Sequence, residues 1–265
     1  MTLVFSVDRS CPATGSWLSL AVRSARAVLP GDTRIVVLTG KDGFATKGCE
    51  YLDASRLYAE TFKSVERTRY SFHGAPFGIG GLGRMMIPLL FDDPVAYCDA
   101  DVEFVGAGFA SCVEMVGDHE VAMVPESPTA YGAARLAGRA GELERLKKAG
   151  LPIAGVPGPL YYNSGMIVFN PRRIRENHPD YAAEAAEGIA EFVRAGFALP
   201  DQDFCNQYFD VKTLPPQYNA GGLMRDQLGA GAFMLHYLGT EKVNEYPYPP
   251  EAQRRRILDA TAVAR

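Results

Sequence analysis

Two aspartates one residue apart, Asp99 and Asp101, interrupt the apolar segment from Val95 to Val102. If this segment is a strand, side chains at positions i and i+2 point to the same side, so both carboxylates should face one spot. Two carboxylates held together away from water are costly unless a positive charge neutralises them. A divalent cation that prefers oxygen ligands, Mn²⁺ or Mg²⁺, would supply that charge. The alternative interpretation is that one aspartate ends the strand and caps the next turn.

Other polar groups lie beside or within apolar segments and could complete such a site. Asn163-Ser164-Gly165 directly precedes an apolar run that begins at Met166, Asp201 to Asn206 opens a predicted helix, and His236 lies inside an apolar segment. Taken singly, they have ordinary structural explanations as a turn, a helix start with a cap, and a core histidine. Lys242 follows a glycine turn and by itself predicts only a solvated side chain.

The segments that must position these groups alternate between strand and helix patterns. Strands are predicted at 3–7, 34–38, 51–52, from 95, 121–124, 166–169 and 233–238, and helices at 17–29, from 55, 84–91, 109–116, 133–149, 181–195 and 204–209. This alternation predicts an α/β fold with a mostly parallel central sheet that is covered by helices on both faces. In such sheets ligands bind beyond the carboxyl ends of the strands, which is where Asp99 and Asp101 are predicted.

The composition is that of a globular protein without a strong charge bias. The chain has 265 residues, is 47% hydrophobic and 22% charged, and has a net charge of −4, which gives no reason to expect nucleic-acid binding. We find no repeat and no linker, so a single domain is expected. Five scattered cysteines argue against a disulfide framework and a structural zinc site. With no signal-peptide pattern and no membrane-span pattern in the sequence, a cytoplasmic protein is expected.

The segment from Gly78 to Gly83 satisfies the dinucleotide-binding pattern Gly-x-Gly-x-x-Gly. That pattern binds a dinucleotide only when it follows a strand and opens a helix, usually in the first strand–helix unit. The preceding residues, Ser71 to Pro76, do not have a strand pattern, and the first strand–helix turn, Asp8 to Pro12, lacks the glycines. We therefore interpret the match as accidental and the segment as a flexible loop.

The order of the polar motifs along the chain is more specific than any one of them. The series consists of Arg-x-x-Ile-Pro at Arg84, Asp-x-Asp at Asp99, Asn-Ser-Gly at Asn163, Asp-Gln-Asp-x-x-Asn at Asp201, Leu-Pro-Pro-x-Tyr-Asn at Leu214 and His-x-x-Gly-x-x-Lys at His236. From Asp8 to Lys242 the chain resembles glycosyltransferase family 8, the retaining nucleotide-sugar transferases that include glycogenin-like and bacterial lipopolysaccharide galactosyl- and glucosyltransferases.

The resemblance implies a hexosyltransferase with a Rossmann-like GT-A fold. It implies a single domain over residues 1–265, with a nucleotide-binding half at about 1–105, a donor and acceptor half at about 106–245, and a helical tail at 246–265. The implied cofactor is Mn²⁺, with Mg²⁺ as the alternative. The implied donor is a UDP-hexose, either UDP-glucose or UDP-galactose, and the acceptor, a saccharide, lipid or protein, is not identified by the sequence.

The resemblance also implies roles for individual residues. The metal ligands would be Asp99, Asp101 and His236, and the catalytic pair would be Asp201 and Gln202. The residues that bind the donor would be Asp8, Arg84, Asp99, Asn163 and Lys242. The amide of Gln202 is a poor nucleophile. We therefore hypothesise that the acceptor attacks the sugar on the same face from which the leaving group departs, so that the anomeric configuration is retained.

Some features depart from the family pattern and leave alternatives open. Cys11 stands where the family commonly has an aromatic residue that packs on uracil, so the nucleobase stays open, and Val243-Asn244 replaces Pro-Trp. The glycine-rich segment before Arg84 is interpreted as a mobile lid over the donor. Arg254 to Arg256 predict a solvated helix, with peripheral contact to anionic lipid as the alternative. The alternative functions are a glycogenin-like self-glucosylating protein and a non-catalytic nucleotide-sugar-binding module.

Overall fold

The computed structural model describes residues 1–7, 14–40, 46–65, 71–72, 75–76, 78–125, 162–194, 199–221, 228 and 231–237. Several sequence predictions lie outside these residues: those for Asp8, Cys11, the helix at 133–149, Lys242 with Val243-Asn244, and the tail that contains Arg254 to Arg256.

The described residues form strands and helices in alternation over most of their length. The strands are β1 (Thr2–Ser6), β2 (Arg34–Thr39), β3 (Glu50–Asp53), β4 (Ser71–Phe72), β5 (Ala75–Pro76), β6 (Val95–Cys98), β7 (Val102–Phe104), β8 (Val121–Pro125), β9 (Tyr162–Phe169), β10 (Val211–Thr213), β11 (Ala220–Gly221) and β12 (Met234–His236). The α-helices are α1 (Thr14–Val28), α2 (Ser55–Thr61), α3 (Ile79–Leu82), α4 (Ile87–Leu90), α5 (Cys112–Met115), α6 (Pro171–Asn177), α7 (Tyr181–Arg194) and α8 (Pro200–Tyr208). Short 3₁₀ helices lie at Gly83–Met86, Ala107–Ser111 and Pro216–Tyr218.

A seven-stranded sheet with the order β10-β8-β9-β6-β1-β2-β3 forms the centre of the fold. Successive residues of a strand point to opposite faces of the sheet, so the buried side chains of each strand pack into two different cores. Leu3 and Phe5 pack in the core beneath α1 and α5, whereas Val4 and Tyr97 pack in the core beneath α7 and α8. The predicted α/β fold, with a mostly parallel sheet covered on both faces, is confirmed.

One strand of the sheet runs against its neighbours, and this reversal shapes the site. β9 pairs antiparallel with both β6 and β8, while the other pairings in this sheet are parallel. The start of β9 therefore lies beside the end of β6, where Cys98 pairs with Met166. The register between β8 and β9 also shifts after Met123. Asn163-Ser164-Gly165 was predicted to precede a strand but lies within β9, because the strand begins at Tyr162.

The glycine-rich segment is not the flexible loop that we predicted from its composition. Gly78 to Gly83 forms α3 and the start of the following 3₁₀ helix, and its Ile79 and Leu82 are buried. A β-carbon at Gly83 would lie only 2.8 Å from the β-carbon of Ser6 at the end of β1. Glycine here therefore allows a helical segment to pack closely on the sheet, so this segment belongs to the core and not to a lid. None of the helices in the described part of the chain has the length and apolar character needed to cross a bilayer.

Candidate active site

The two aspartates of the Asp-x-Asp motif lie in the link between two sheets. β6 ends at Cys98 in the seven-stranded sheet, and β7 begins at Val102 in a second, three-stranded sheet with the order β11-β12-β7. The expectation that both aspartates face one way because they share a strand is therefore wrong. They come together because the chain bends between the sheets, and the backbone N–H of Asp99 donates to the carbonyl of Gly165.

His236 joins the aspartates through the pairing of the small sheet. β12 runs antiparallel to β7, and His236 is paired with Val102, the residue next to Asp101. The Nε2 atom of His236 lies 3.5 Å from Oδ1 of Asp101 and 3.9 Å from Oδ2 of Asp99. The His236 side chain is only 2% exposed, compared with 26% for Asp99. The sequence-predicted constellation of these three residues is thus present in the fold.

The donor set of this cluster fits a divalent cation. One ligand atom from each of Asp99, Asp101 and His236 lies within 4.8 Å of the others, and in the described residues this is the one group of its kind. The nitrogen–oxygen distances of 3.5 and 3.9 Å are too long for good hydrogen bonds. Carboxylate oxygens and an imidazole nitrogen that face one point are suited to a divalent cation that accepts mixed oxygen and nitrogen ligands.

Arg84 brings a positive charge of the protein into this region. Its Nη2 donates to Oδ1 of Asp99 at 2.9 Å, and its Nε lies 3.3 Å from Oδ2 of Asp201. Its Nη1 donates to the carbonyl oxygen and the hydroxyl of Ser164 at 2.6 and 2.9 Å. Burial by itself would lower the pKa of Arg84, but the nearby carboxylates, Asp99 foremost, hold that pKa above its ordinary value. Arg84 therefore remains a fixed positive charge between Asp99 and Asp201.

Tyr97 holds the same oxygen of Asp99 from the sheet. Its hydroxyl donates to Oδ1 of Asp99 at 2.6 Å and lies 3.2 Å from the hydroxyl of Ser6. Burial raises the pKa of Tyr97 well above its ordinary value, so the phenol remains a hydrogen-bond donor. With Oδ1 engaged by both Tyr97 and Arg84, it is Oδ2 of Asp99 that faces His236.

A pair of buried asparagines lies behind His236. Nδ1 of His236 is 2.9 Å from Oδ1 of Asn219, and Nδ2 of Asn219 donates to Oδ1 of Asn163 at 3.0 Å. The same oxygen of Asn163 accepts from the backbone N–H of Gly165 at 2.9 Å. Asn219 and Asn163 thereby tie the imidazole to the start of β9.

The first turn of α8 brings Asp201 and Gln202 to the other side of Arg84. Both side chains are buried, and the N-cap position belongs to Leu199, so Asp201 is not the helix cap. Oε1 of Gln202 accepts from the backbone N–H of Ser164 at 3.0 Å and from Nδ2 of Asn163 at 3.5 Å. The polar groups of α8 therefore belong to the same connected region as the metal-ligand cluster.

The structure thus brings together most of the residues that the sequence singled out. Those within the described residues are Arg84, Asp99, Asp101, Asn163, Asp201, Gln202 and His236. Asp8 and Lys242 lie outside them. The sequence pattern assigned no individual role to Tyr97, Ser164, Gly165 or Asn219. Tyr97 could have been found from its position two residues before Asp99, and Asn219 from its place in the Leu-Pro-Pro-x-Tyr-Asn motif.

Comparison with known proteins agrees with this arrangement. The sequence profile described as "Glycosyl transferase family 8" matches residues 82–243, more than half of the chain. No curated protein is similar enough in sequence to count as a relative.

Several solved structures share the fold at low sequence identity. The galactosyltransferase LgtC in complex with donor and acceptor sugar analogs is 16% identical with a TM-score of 0.69, over 99% of this chain and 96% of that chain. The apo form of the bifunctional glycosyltransferase WbbM is 19% identical with a TM-score of 0.60, over 90% of this chain and 46% of that chain. Mouse xyloside xylosyltransferase 1 in its apo form is 13% identical with a TM-score of 0.57, over 89% of this chain and 97% of that chain. These likenesses confirm the predicted GT-A-type fold.

Proposed function

This chain belongs to glycosyl transferase family 8, and we propose that it is a manganese-dependent, retaining hexosyltransferase that uses UDP-glucose or UDP-galactose. Family membership confirms the predicted enzyme class, a hexosyltransferase, and the finer statements are our proposal. The observation that carries it is the convergence of Asp99, Asp101 and His236 beside Arg84. Such a cluster suits a nucleoside diphosphate, which gains negative charge as the sugar–phosphate bond breaks.

The proposed ligands of the cation are Asp99 through Oδ2, Asp101, and His236 through Nε2. When bound, a divalent cation would stabilise the charge that develops on the departing diphosphate. The protein's own contribution is to fix Asp99 and His236 in advance, since Arg84 and Tyr97 both hold Oδ1 of Asp99 and Asn219 contacts Nδ1 of His236. From the sequence motif, we propose that Lys242 adds a second positive charge to the diphosphate and that Asp8 contacts the nucleoside.

Retention requires either a protein nucleophile or attack from the face of the leaving group. Asp201 is buried, and its Oδ2 lies 3.3 Å from Nε of Arg84, an ion pair that lowers its nucleophilicity. Gln202 has a neutral amide, and its carbonyl oxygen accepts the N–H of Ser164. Neither group is well suited to form a glycosyl–enzyme bond. These contacts support same-face attack, in which the acceptor's proton passes to the departing phosphate oxygen.

Two related structures offer indirect support for the nature of the ligands. LgtC was solved with donor and acceptor sugar analogs, which supports a nucleotide sugar and a saccharide acceptor here. A second LgtC structure, 15% identical with a TM-score of 0.68, carries an active-site substitution of glutamine by glutamate. A glutamine in the active site of that enzyme supports our proposal that Gln202 lies near the reacting sugar.

The scattered cysteines, of which the four described are free thiols, support a cytoplasmic location.

The decisive experiment combines donor binding with product analysis. The purified protein is melted with UDP-glucose, UDP-galactose and other nucleotide sugars, each with and without Mn²⁺. A donor at 100-fold its dissociation constant adds about 2.7 kcal/mol, which is roughly a 5–10 °C rise in melting temperature. The matched control pair is Asp101→Asn, which should abolish the shift, and Asp118→Asn at an exposed site, which should not. A Mn²⁺-independent shift, or the same shift in Asp101→Asn, would contradict the metal assignment.

Product analysis then separates the remaining alternatives. NMR of the product linkage should show an α-linkage from an α-linked donor, and a β-linkage would contradict retention. An adduct on Asp201 in the intact mass would contradict same-face attack while preserving retention. A mass increase of the protein itself with UDP-glucose would indicate self-glucosylation. Donor binding without hydrolysis or transfer to any acceptor tested would favour a non-catalytic binding module.

A further inference from the structure

We infer that Asn219 is a positioning residue that sets the tautomer and orientation of His236, and thereby the affinity of the site for a divalent cation. The inference rests on the proposed function, because it takes His236 to be a metal ligand. The contact that carries it is the 2.9 Å hydrogen bond between Nδ1 of His236 and Oδ1 of Asn219. Asn219 lies 17 residues away in the sequence, in the turn that leads to β11.

The direction of this hydrogen bond follows from a backbone group. The N–H of Gly165 can only donate, so the Asn163 atom that it contacts at 2.9 Å must be the oxygen. Asn219 contacts that same oxygen at 3.0 Å, so it must do so with its NH₂ group. The remaining atom of the Asn219 carboxamide is then its oxygen, which can only accept. The Nδ1 atom of His236 must therefore carry the proton.

This assignment determines the state of the other ring nitrogen. In a neutral imidazole with its proton on Nδ1, Nε2 carries no proton and can donate its lone pair to a metal. That lone pair faces Oδ1 of Asp101 at 3.5 Å and Oδ2 of Asp99 at 3.9 Å, where it would repel both carboxylates without a cation between them. The asparagine pair therefore selects the tautomer that can bind a metal and disfavours the one that would donate Nε2–H to a carboxylate.

Burial makes this selection effective. His236 and Asn219 are 2% and 3% exposed, and Asn163 is also buried, so water competes little for these hydrogen bonds. The asparagine pair also connects to the first turn of α8, because Nδ2 of Asn163 lies 3.5 Å from Oε1 of Gln202. Groups that orient a metal-bound histidine commonly change metal affinity by about 10–100-fold when they are removed.

The test uses Asn219→Leu, which removes the acceptor at nearly constant volume. Asn170→Leu is the matched control, because Asn170 follows the opposite end of β9 and makes its own hydrogen bonds to Gly117 and Arg173. Electron paramagnetic resonance of free Mn²⁺ gives the affinity, with Mn²⁺ alone and with Mn²⁺ plus UDP. We expect Asn219→Leu to bind Mn²⁺ about 10–100-fold more weakly, and Asn170→Leu to remain within a few-fold of the wild type.

A second measurement reports on the tautomer in the metal-free protein. Long-range ¹H–¹⁵N spectra, recorded where the imidazole is neutral and assigned with His236→Gln, should show the Nδ1–H form of His236 in the wild type and its loss in Asn219→Leu. A wild-type Nε2–H spectrum, or an unchanged Mn²⁺ affinity in Asn219→Leu, would overturn this inference and leave the proposed function standing. A wild-type protein that binds no Mn²⁺, with or without UDP, would overturn the proposed metal dependence, and the spectra would still decide the tautomer.

Discussion

Gly165→Ala tests whether the metal ligands are held in place by close packing. Gly165 lies in β9 directly against the imidazole of His236. A β-carbon at this position would overlap Cε1 of the ring and lie 2.8 Å from Nδ1. Since β9 is a buried strand between β6 and β8, the backbone has little freedom to withdraw, and the ring must move instead.

The size of the effect follows from the required movement. A normal carbon–carbon contact is about 3.5 Å, so the ring must retreat by roughly 1 to 1.5 Å. Such a shift breaks the 2.9 Å hydrogen bond to Asn219 and moves Nε2 away from Asp101. Overpacking of this kind costs about 1–3 kcal/mol of folding stability. Loss of the oriented imidazole should weaken Mn²⁺ binding by at least as much as loss of its hydrogen-bond partner, about 10–100-fold.

The assay is a double-mutant cycle between Gly165→Ala and His236→Ala. Urea unfolding of the metal-free proteins gives the stabilities, and free-Mn²⁺ titration gives the affinities. Because His236→Ala removes the ring that the new methyl group would overlap, Gly165→Ala should cost much less stability in the His236→Ala background, where the 2.9 Å contact to Oδ1 of Asn163 remains. The two single variants should bind Mn²⁺ equally weakly. Gly31→Ala is the control, because a β-carbon there would meet nothing within 4 Å.

Two results would refute this reasoning. A Gly165→Ala protein with wild-type Mn²⁺ affinity would mean that the ring is not needed at its observed position. Additive stability losses in the cycle would mean that the cost of Gly165→Ala arises from the β9 backbone or from the 2.9 Å contact to Oδ1 of Asn163, and not from the imidazole.

Three further predictions concern the charges and thiols of the core. Asp101→Asn should abolish Mn²⁺-dependent donor binding and slightly raise the melting temperature in EDTA, because it relieves carboxylate repulsion beside Asp99; sugar transfer at the wild-type rate would contradict this. Arg84→Met should lower the free energy of unfolding by about 3–5 kcal/mol in urea, because it removes the cation between two largely buried carboxylates, and a loss below about 1 kcal/mol would contradict the ion-pair geometry. Burial raises the thiol pKa of three core cysteines, Cys98, Cys112 and Cys205. The thiols of the unfolded protein release their protons near pH 8.5, whereas the folded ones remain protonated. The free energy of unfolding of the reduced protein should therefore be unchanged below that pH and fall by about 1.4 kcal/mol per thiol for each pH unit above it. Urea unfolding at pH 8 and pH 10 measures the fall, and equal stabilities would count against it.

The order of the motifs along the chain predicted the residues of the site better than the expected local structure of any single motif. Asp99 and Asp101 were expected to converge because they share a strand, yet they lie in a bend between two sheets. They still meet His236, because β12 pairs with β7 next to that bend. A strand period of two is a local property, whereas the bend depends on which sheet the next strand joins, and that information lies about 130 residues further along the chain.

The roles of Ser164, Gly165 and Asn219 could not be predicted for a related reason. The alternation of strands and helices predicts a mostly parallel sheet, but it does not predict that one strand, β9, runs antiparallel to its neighbours. The antiparallel direction of β9 places its first residues beside the end of β6, so that Gly165 contacts the backbone of Asp99. The segment that precedes β9, residues 126–161, lies outside the described residues. Asn163-Ser164-Gly165, which has the pattern of a turn, belongs to the site because β9 runs in this direction.

Each proposed ligand is held by a different part of the fold, and this has a consequence for metal selectivity. Asp99 is fixed by Arg84 and Tyr97, His236 by Asn219, and the backbone carbonyl of Asp101 by the N–H of Tyr237. The site is therefore organised before any cation arrives, and the ion must fit the spacing that the two sheets define. A ligand set with one nitrogen favours Mn²⁺ over Mg²⁺, because Mg²⁺ prefers oxygen ligands and retains its water more strongly. Loosening any one anchor should thus weaken Mn²⁺ binding.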